Sequence, residues 1–162
     1  MRKRVFVLGG SSGGLTTALA VHHELGGDVD VTVISKDDRV DITVPIGPLL
    51  HEHGIAFVQG TVARLDPIAR EIFLKDGRMV HYDYAVIATG YRTECAGGIA
   101  DDEGFIKVRD TCQTDKYDDL YAVGLPTTGF SAETMAPLAA AHIAAQIRGA
   151  AEARLRDPAL AR

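Results

Sequence analysis

The sequence predicts an α/β fold in three layers, with a parallel central sheet and a separate antiparallel β-meander. A strand, a glycine-rich turn, a helix and a second strand follow one another in the first part of the chain. Short strand-like segments separated by turn residues occupy about residues 55–83, and an alanine-rich helix occupies about residues 132–156. Alternating strands and helices are typical of a parallel sheet that is covered on both faces.

The first unit is a βαβ unit. Residues 5–8 are continuously apolar, as expected of a strand that is buried on both faces. Residues 15–25 predict a helix that Gly26 and Gly27 end, and the largely β-branched residues 29–34 predict the second strand. Such a crossover is right-handed in nearly all known cases.

The middle of the chain changes from helical to strand-like patterns. Residues 45–53 predict a short helix with Pro45 in its first turn. Asp66-Pro67 and Asp76-Gly77 are turn signals, and the second strongly indicates a hairpin. We therefore predict a meander whose strands are residues 55–59, 62–65, 71–74 and 80–82.

The last third returns to the central sheet. Residues 84–88 are apolar and predict a strand of that sheet, and residues 92–103 predict a loop. Residues 105–108 and 120–123 predict the last two strands, before the helix at 132–156, which Gly149 could interrupt. No repeat or low-complexity linker is found, so the 162 residues predict one domain.

Composition excludes several classes of protein. The chain is 46% hydrophobic and 24% charged, which is ordinary for a globular protein. A net charge of -5 argues against a nucleic-acid-binding protein, which needs a basic face. No apolar run is long enough for a transmembrane segment or a signal peptide, so we expect a cytoplasmic protein.

The two cysteines and the histidine and aspartate clusters predict neither a disulfide nor a metal site. Cys95 and Cys112 have neither zinc-site nor CxxC spacing, and we expect unrelated thiols, with a redox pair as the alternative. The clusters lack metal-ligand spacing on a shared face. They are His22-His23, His51 with His53, and Asp37, Asp38 and Asp41.

The first βα turn predicts a phosphate-binding site. It reads GGSSGGL over residues 9–15, with Gly9 and Gly14 in the first and third glycine places of a dinucleotide-binding turn and Ser11 in the second. The Ser11 hydroxyl could donate to phosphate, while backbone amides and the helix dipole favour an anion there. The alternative is a glycine-rich turn that serves only close packing.

The end of the second strand lacks the usual acidic residue. Ser35 stands where a carboxylate normally binds the adenosine ribose, and it can bind ribose without a charge. Lys36 could pair with a 2′-phosphate, so NADP is an alternative on local grounds, although a solvated lysine is the commoner case.

Longer motifs resemble a known family. Residues 77–90 (GRMVHYDYAVIATG) resemble the "dG…YDyliiATG" segment of flavoproteins with two dinucleotide-binding domains. Residues 104–108 (GFIKV) and 120–124 (LYAVG) resemble their later "GfI.VD…IyAiGD" segment. With residues 128–133 (TGFSAE), the chain is similar to sulfide:quinone oxidoreductases and flavocytochrome c sulfide dehydrogenases of the pyridine nucleotide-disulfide oxidoreductase family.

The resemblance implies an FAD/NAD(P)-binding, Rossmann-like fold and an FAD site. It implies a pyrophosphate site, an adenosine site and a flavin site along the chain. The pyrophosphate would lie at Gly9, Ser11, Ser12, Gly13 and Gly14, the ribose at Ser35 and Lys36, and the adenine at the Val62 backbone. Ala88, Thr89 and Gly90 would pass beside the cofactor, Gly124 and Leu125 would face the ribityl chain and phosphate, and Thr128 and Gly129 would lie near the isoalloxazine.

The chain also departs from the family pattern. The NAD-like domain that normally follows the ATG segment is replaced by a short loop, and the C-terminal membrane-associating helices are not expected. Leu125 replaces the aspartate of the GD motif, and Thr127 replaces a frequent lysine. Cys95 and Cys112 do not match the family's reactive cysteines, so no catalytic residue is assigned. Less protein over the flavin predicts an exposed isoalloxazine that reacts quickly with oxygen.

Three functions stay open from the sequence. The first is an FAD-binding redox protein whose small-molecule donor and acceptor are unnamed. The second is a non-catalytic carrier, sensor or subunit, and the third is an NAD(P)-binding module without flavin. A sheet face left by the missing domain would favour a homodimer.

Overall fold

A computed structural model describes residues 2–90, 98–124, 127 and 131–156. The helices are α1 (Ser12–Leu25), α2 (Ile46–Glu52) and α3 (Ala132–Arg156), and a 3-10 turn spans Gly26–Asp28. The strands in chain order are β1 (Lys3–Leu8), β2 (Val29–Ser35), β3 (Arg39–Val40), β4 (Val44–Pro45), β5 (Ala56–Gln59), β6 (Val62–Asp66), β7 (Glu71–Leu74), β8 (Met79–His81), β9 (Tyr84–Ile87) and β10 (Leu120–Ala122).

The central sheet has five strands in the order β10-β9-β1-β2-β5. Every neighbouring pair is parallel. Strand β1 is in the middle, where Val5 pairs with Val31 on one side and with Tyr84 on the other. The carboxyl ends of all five strands therefore meet at one edge of the sheet.

Alternate side chains of β1 point into two different cores. Val5 and Val7 belong to the core that α1 and α3 cover, together with Ala18 and Ile143. The neighbouring residues Phe6 and Leu8 belong to the core beneath the meander, with residues of β6 and β7. Period-two alternation thus produces a helical layer, the sheet and the meander, which confirms the predicted three-layer α/β fold.

The meander is shorter than predicted. It consists of β6, β7 and β8, so it begins at Val62 and not near residue 55. Strand β5 pairs in parallel with β2, from Thr32 opposite Ala56 to Ser35 opposite Gln59, and is one of the two edge strands of the central sheet. The apolar pattern of residues 55–59 alone could not distinguish a strand of the meander from a strand of the central sheet, because both sheets accept short apolar strands.

Other boundaries differ locally. Helix α1 begins at Ser12, so the last glycines of the turn lie within its first turn. The hairpin β3–β4 was not predicted, and residues 105–108 form isolated bridges (Ile106 to Thr127 and Val108 to Thr114) where a strand was predicted. Helix α3 has the predicted bounds and continues through Gly149.

Among the helices of the described ranges, none combines the length and the apolar character needed to cross a bilayer.

Candidate dinucleotide site

Two cavities lie at the carboxyl edge of the central sheet. The first, of about 470 Å³, lies between the ends of β1 and β2, the β3–β4 hairpin and the start of β6. The second, of about 460 Å³, lies between the first turns of α1 and α3 and the ends of β9 and β10. Ser11, Ser12 and Ala88 line both cavities, so these residues form a shared rim.

Three positions of the first βα turn require glycine, because other atoms lie too close to leave room for a Cβ. Gly9 has φ of +115°, and a Cβ there would collide with the carbonyl oxygen of Ala88. A Cβ on Gly14 would collide with the carbonyl oxygen of Gly9. A Cβ on Gly13 would lie 2.7 Å from Cβ of Ala132, at the start of α3. These glycines let β1, β9 and both helices come together at the rim.

Ser11 is the N-cap of α1. Its Oγ accepts a hydrogen bond from the amide of Gly14 at 3.3 Å and donates one to the carbonyl oxygen of Ala88 at 3.0 Å. The side chain therefore links the turn to the end of β9. In this conformation the hydroxyl proton is already donated to Ala88, so it is not available to phosphate as the sequence suggested.

The donors at this turn that could bind an anion are backbone amides. Within the described ranges, the amides of Ser12 and Gly13 have no hydrogen-bond acceptor. They belong to the first turn of a helix of 14 residues, where unpaired amides and the helix dipole both favour negative charge. Ser12 is on the rim and Gly13 lines the second cavity, so these donors lie at the junction of the two cavities.

The end of β2 forms the floor of the first cavity. Ser35 is buried, its carbonyl accepts from the amide of Gly60 at 2.9 Å, and its Oγ would lie 2.7 Å from a Cβ on Gly10. Lys36 is exposed at the same wall. Arg39, on the β3–β4 hairpin, is a second cation of this cavity.

The structure brings most of the predicted site residues together. Val62 and Thr89 line the first cavity, Gly90 and Gly124 line the second, and Ala88 lines both. Leu125, Thr128 and Gly129 lie outside the described residues. The sequence missed Gly10, Arg39, Asp41 and Thr61 in the first cavity and Val123, Thr127, Ser131 and Ala132 in the second.

The missed residues had different signals in the sequence. Arg39 and Asp41 lie on the unpredicted hairpin β3–β4, and only the chain path brings them over the cavity. Ser131 immediately precedes α3, and the predicted start of that helix at residue 132 could have indicated it.

Cys112 is not part of either cavity. Its thiol is buried and donates to the carbonyl oxygen of Met135 at 3.5 Å. Burial raises the pKa of the Cys112 thiol above its ordinary value of 9.0, which disfavours the reactive thiolate. Cys95 lies outside the described residues, so the redox-pair alternative stays a hypothesis.

Across the described part of the chain, no three His, Cys, Asp or Glu side chains are placed to hold a metal ion.

Sequence comparisons find relatives among oxidoreductases. The sequence model of the pyridine nucleotide-disulphide oxidoreductase family matches residues 1–142. The sulfide-quinone reductase of Aquifex aeolicus is 35% identical over a match that covers 56% of this chain and 25% of that protein. The type II NADH:quinone oxidoreductase of Staphylococcus haemolyticus is 28% identical, with 59% of this chain and 28% of that protein covered. The chain thus spans about a quarter of the length of these relatives.

Comparison of structures gives the same family of folds. The crystal structure of the Aquifex aeolicus sulfide:quinone oxidoreductase has a TM-score of 0.52 and 32% identity, with 56% of this chain and 25% of that chain covered. The NADH:rubredoxin oxidoreductase of Clostridium acetobutylicum has a TM-score of 0.68 over 89% of this chain and 75% of that chain. At 12% identity, this second likeness supports only the Rossmann-like fold.

The family match covers far more than half of the chain, and the three-layer fold and the glycine turn agree with it. The chain belongs to the pyridine nucleotide-disulphide oxidoreductase family.

Proposed function

We propose that this chain is the FAD-binding part of a redox flavoprotein, with FAD lying across both cavities. The supporting observation is the position of the amides of Ser12 and Gly13, which have no acceptor among the described residues and lie where the two cavities join. A dinucleotide has its diphosphate in the middle and a bulky group at each end. The diphosphate of such a ligand would lie at the Ser12 and Gly13 amides, with one bulky group in each of the two cavities.

Each part of the proposed ligand has residues to hold it. The adenosine would occupy the first cavity, against Ser35, Lys36 and the Val62 backbone. The flavin side would occupy the second cavity, against Gly90 and Gly124. By family resemblance, Leu125, Thr128 and Gly129 would complete that side.

The division of labour follows from the residues. Bound FAD would supply the electron-transfer chemistry, and the chain would bind, orient and shield it. No cysteine is among the described residues that line the two cavities, so we assign no catalytic thiol and no other catalytic residue. Electron donor and acceptor would be small molecules, and sulfide and a quinone are the first to test because of the relative's name.

A second candidate is an NAD(P)-binding or non-catalytic module. It is favoured by one observation, because Lys36 and Arg39 both line the first cavity and Ser35 replaces the usual carboxylate. That charge pattern would tolerate a 2′-phosphate. Asp37 and Asp41 line the same cavity and oppose this attraction, so we rank FAD first.

The cofactor bound to the purified protein decides between these functions. We expect the visible absorption of oxidised flavin and the mass of FAD after denaturation. The apoprotein should bind FAD more tightly than FMN or NADP. Gly13→Val should abolish FAD binding, because the valine side chain would collide with Cβ of Ala132 beside the second cavity. Gly27→Val is the control, since a Cβ there meets nothing within 4 Å.

Two results would contradict the proposal. One is a colourless protein whose melting temperature does not rise with FAD. The other is preferential binding of NADP, which would support the second candidate. For a protein that does bind FAD, reduction by sulfide or NADH in steady state would separate a redox enzyme from a carrier, and rapid reoxidation by oxygen would support an exposed isoalloxazine.

We further propose a cytoplasmic homodimer. The free thiol of Cys112 suits a reducing compartment, and Leu138 on α3 is an exposed apolar side chain that a second copy could cover. Light scattering after size-exclusion chromatography tests the dimer, and a monomer at micromolar concentration would contradict it.

A further inference from the structure

The sulfur of Met135 lies behind the wall of the second cavity. Met135 is in the first turns of α3, and only 2% of its surface is exposed. Its Sδ accepts a hydrogen bond from the backbone amide of Gly124 at 3.4 Å, and the Thr127 hydroxyl is 3.3 Å from the same sulfur. Gly124 and Thr127 line the cavity, whereas Met135 does not.

The amide of Gly124 is the sulfur's clear donor. The Thr127 hydroxyl has one proton, and it also lies 2.5 Å from the carbonyl oxygen of Gly124, which is the stronger acceptor. The amide of Thr127 donates to the same carbonyl at 2.8 Å, so the two residues are tied to each other. Met135 then ties this unit to α3 through the Gly124 amide.

The conformation of Gly124 explains why such an anchor matters. Its φ is +69°, a region that glycine enters freely and can also leave freely. A Cβ at this position would lie 3.1 Å from Cβ of Ala132, so the backbone already runs close to α3. The sulfur holds the amide toward the helix and away from the cavity.

We propose that Met135 is a positioning residue for the dinucleotide site. Its thioether fixes the Gly124 backbone and so sets the shape of the cavity wall on the flavin side. Leucine has nearly the same volume but no lone pairs, so Met135→Leu removes the anchor and keeps the packing. The effect on cofactor binding rests on the proposed FAD function, whereas the hydrogen bond itself does not.

The matched control is Ile143→Leu. Ile143 is fully buried on the same helix, and this substitution also exchanges one apolar side chain for another of similar volume. The protein with selenomethionine in place of methionine is a second control, because selenium keeps lone pairs at the same place. Any general loosening of α3 should appear in both leucine variants.

The first measurement is amide hydrogen exchange by NMR without FAD. A neutral hydrogen bond corresponds to about a fivefold change in an equilibrium constant, so the Gly124 amide should exchange about fivefold faster in Met135→Leu. The amide of Ala122, which donates to the Cys112 carbonyl, should keep its rate, and Ile143→Leu should leave Gly124 unchanged. Unchanged exchange of Gly124 in Met135→Leu would overturn the inference.

The second measurement is the dissociation constant of FAD. We expect it to rise about fivefold in Met135→Leu and to stay within twofold in Ile143→Leu and in the selenomethionine protein. An equal rise in both leucine variants, or no rise in Met135→Leu, would overturn the positioning role. Failure of the unsubstituted protein to bind FAD would instead contradict the proposed function, and the exchange measurement would then decide the inference.

Discussion

Replacing Ser11 by alanine removes both hydrogen bonds that tie the first turn to α1 and to β9. Loss of an N-cap serine costs about 1 kcal/mol of folding free energy. Loss of the bond to the Ala88 carbonyl costs about 1 kcal/mol more. We therefore expect Ser11→Ala to lower the free energy of unfolding by about 2 kcal/mol, and the melting temperature by about 4–8 °C for a domain of this size.

A series of variants separates the two contributions. Ser11→Gly also loses both hydrogen bonds of the Oγ, but it should lose only about half as much stability, because glycine is itself an acceptable N-cap. Ser12→Ala is the control, because its exposed side chain makes no hydrogen bond to the described residues. Urea unfolding of the apoprotein followed by circular dichroism measures all three.

The same variants test where the Ser11 hydroxyl points. Because the hydroxyl is engaged with Ala88 and the Ser12 and Gly13 amides remain, Ser11→Ala should change FAD affinity by less than about threefold. If Ser11→Ala instead kept the stability of the unsubstituted protein while its FAD affinity fell tenfold or more, this reasoning would be refuted. That result would show that the hydroxyl binds phosphate directly, as the glycine pattern first suggested.

Three further predictions follow from the packing and the charges. Gly14→Ala should destabilise the fold by about 3 kcal/mol or more, because its Cβ would collide with the Gly9 carbonyl. Gly27→Ala is the control and should change stability by less than about 1 kcal/mol, because a Cβ at Gly27 lies in open space. Equal melting temperatures of the two variants would contradict this prediction. Asp119→Asn should cost about 1 kcal/mol in urea unfolding, because the mostly buried Asp119 carboxylate pairs with Arg70 at 2.6 Å, and the loss should shrink when Arg70 is also replaced by methionine. Burial raises the pKa of the Cys112 thiol above 9.0, so the unfolded chain releases this proton first. The stability that the protonated thiol contributes is therefore complete below pH 9 and is lost as the pH rises through the folded-state pKa. In melting curves between pH 8 and about 10.5, Cys112→Ala should lose less stability with rising pH than the unsubstituted protein does.

The parts of the fold that local patterns determine were predicted correctly. The βαβ unit, the Asp76-Gly77 hairpin and α3 each have a strong periodic or turn signal, and all three are present. Strand β5 was assigned to the wrong sheet because its choice of partner depends on β2, which lies far from it in sequence. The β3–β4 hairpin was missed because its turn residues Asp41 and Ile42 have positive φ without a glycine.

The candidate site shows the same division between local and long-range information. The sequence pattern pointed to Gly9 and Gly14, and each of them lies so close to a backbone carbonyl oxygen that only glycine fits. Arg39 was missed because its role depends on the path of the hairpin over the first cavity. Met135 could not be distinguished from an ordinary core methionine, because only its contact with the Gly124 amide gives it a role.

The start of α1 carries more information about the ligand than the glycine pattern does. Because Ser11 caps the helix through the Gly14 amide, the amides of α1 that have no acceptor among the described residues are those of Ser12 and Gly13. Gly13 also allows α3 to approach, which places the second cavity directly beside these amides. A mononucleotide would need donors at the end of a single cavity. Donors between two cavities of similar volume instead favour a ligand with phosphates at its centre, and this geometry is the physical basis for preferring a dinucleotide.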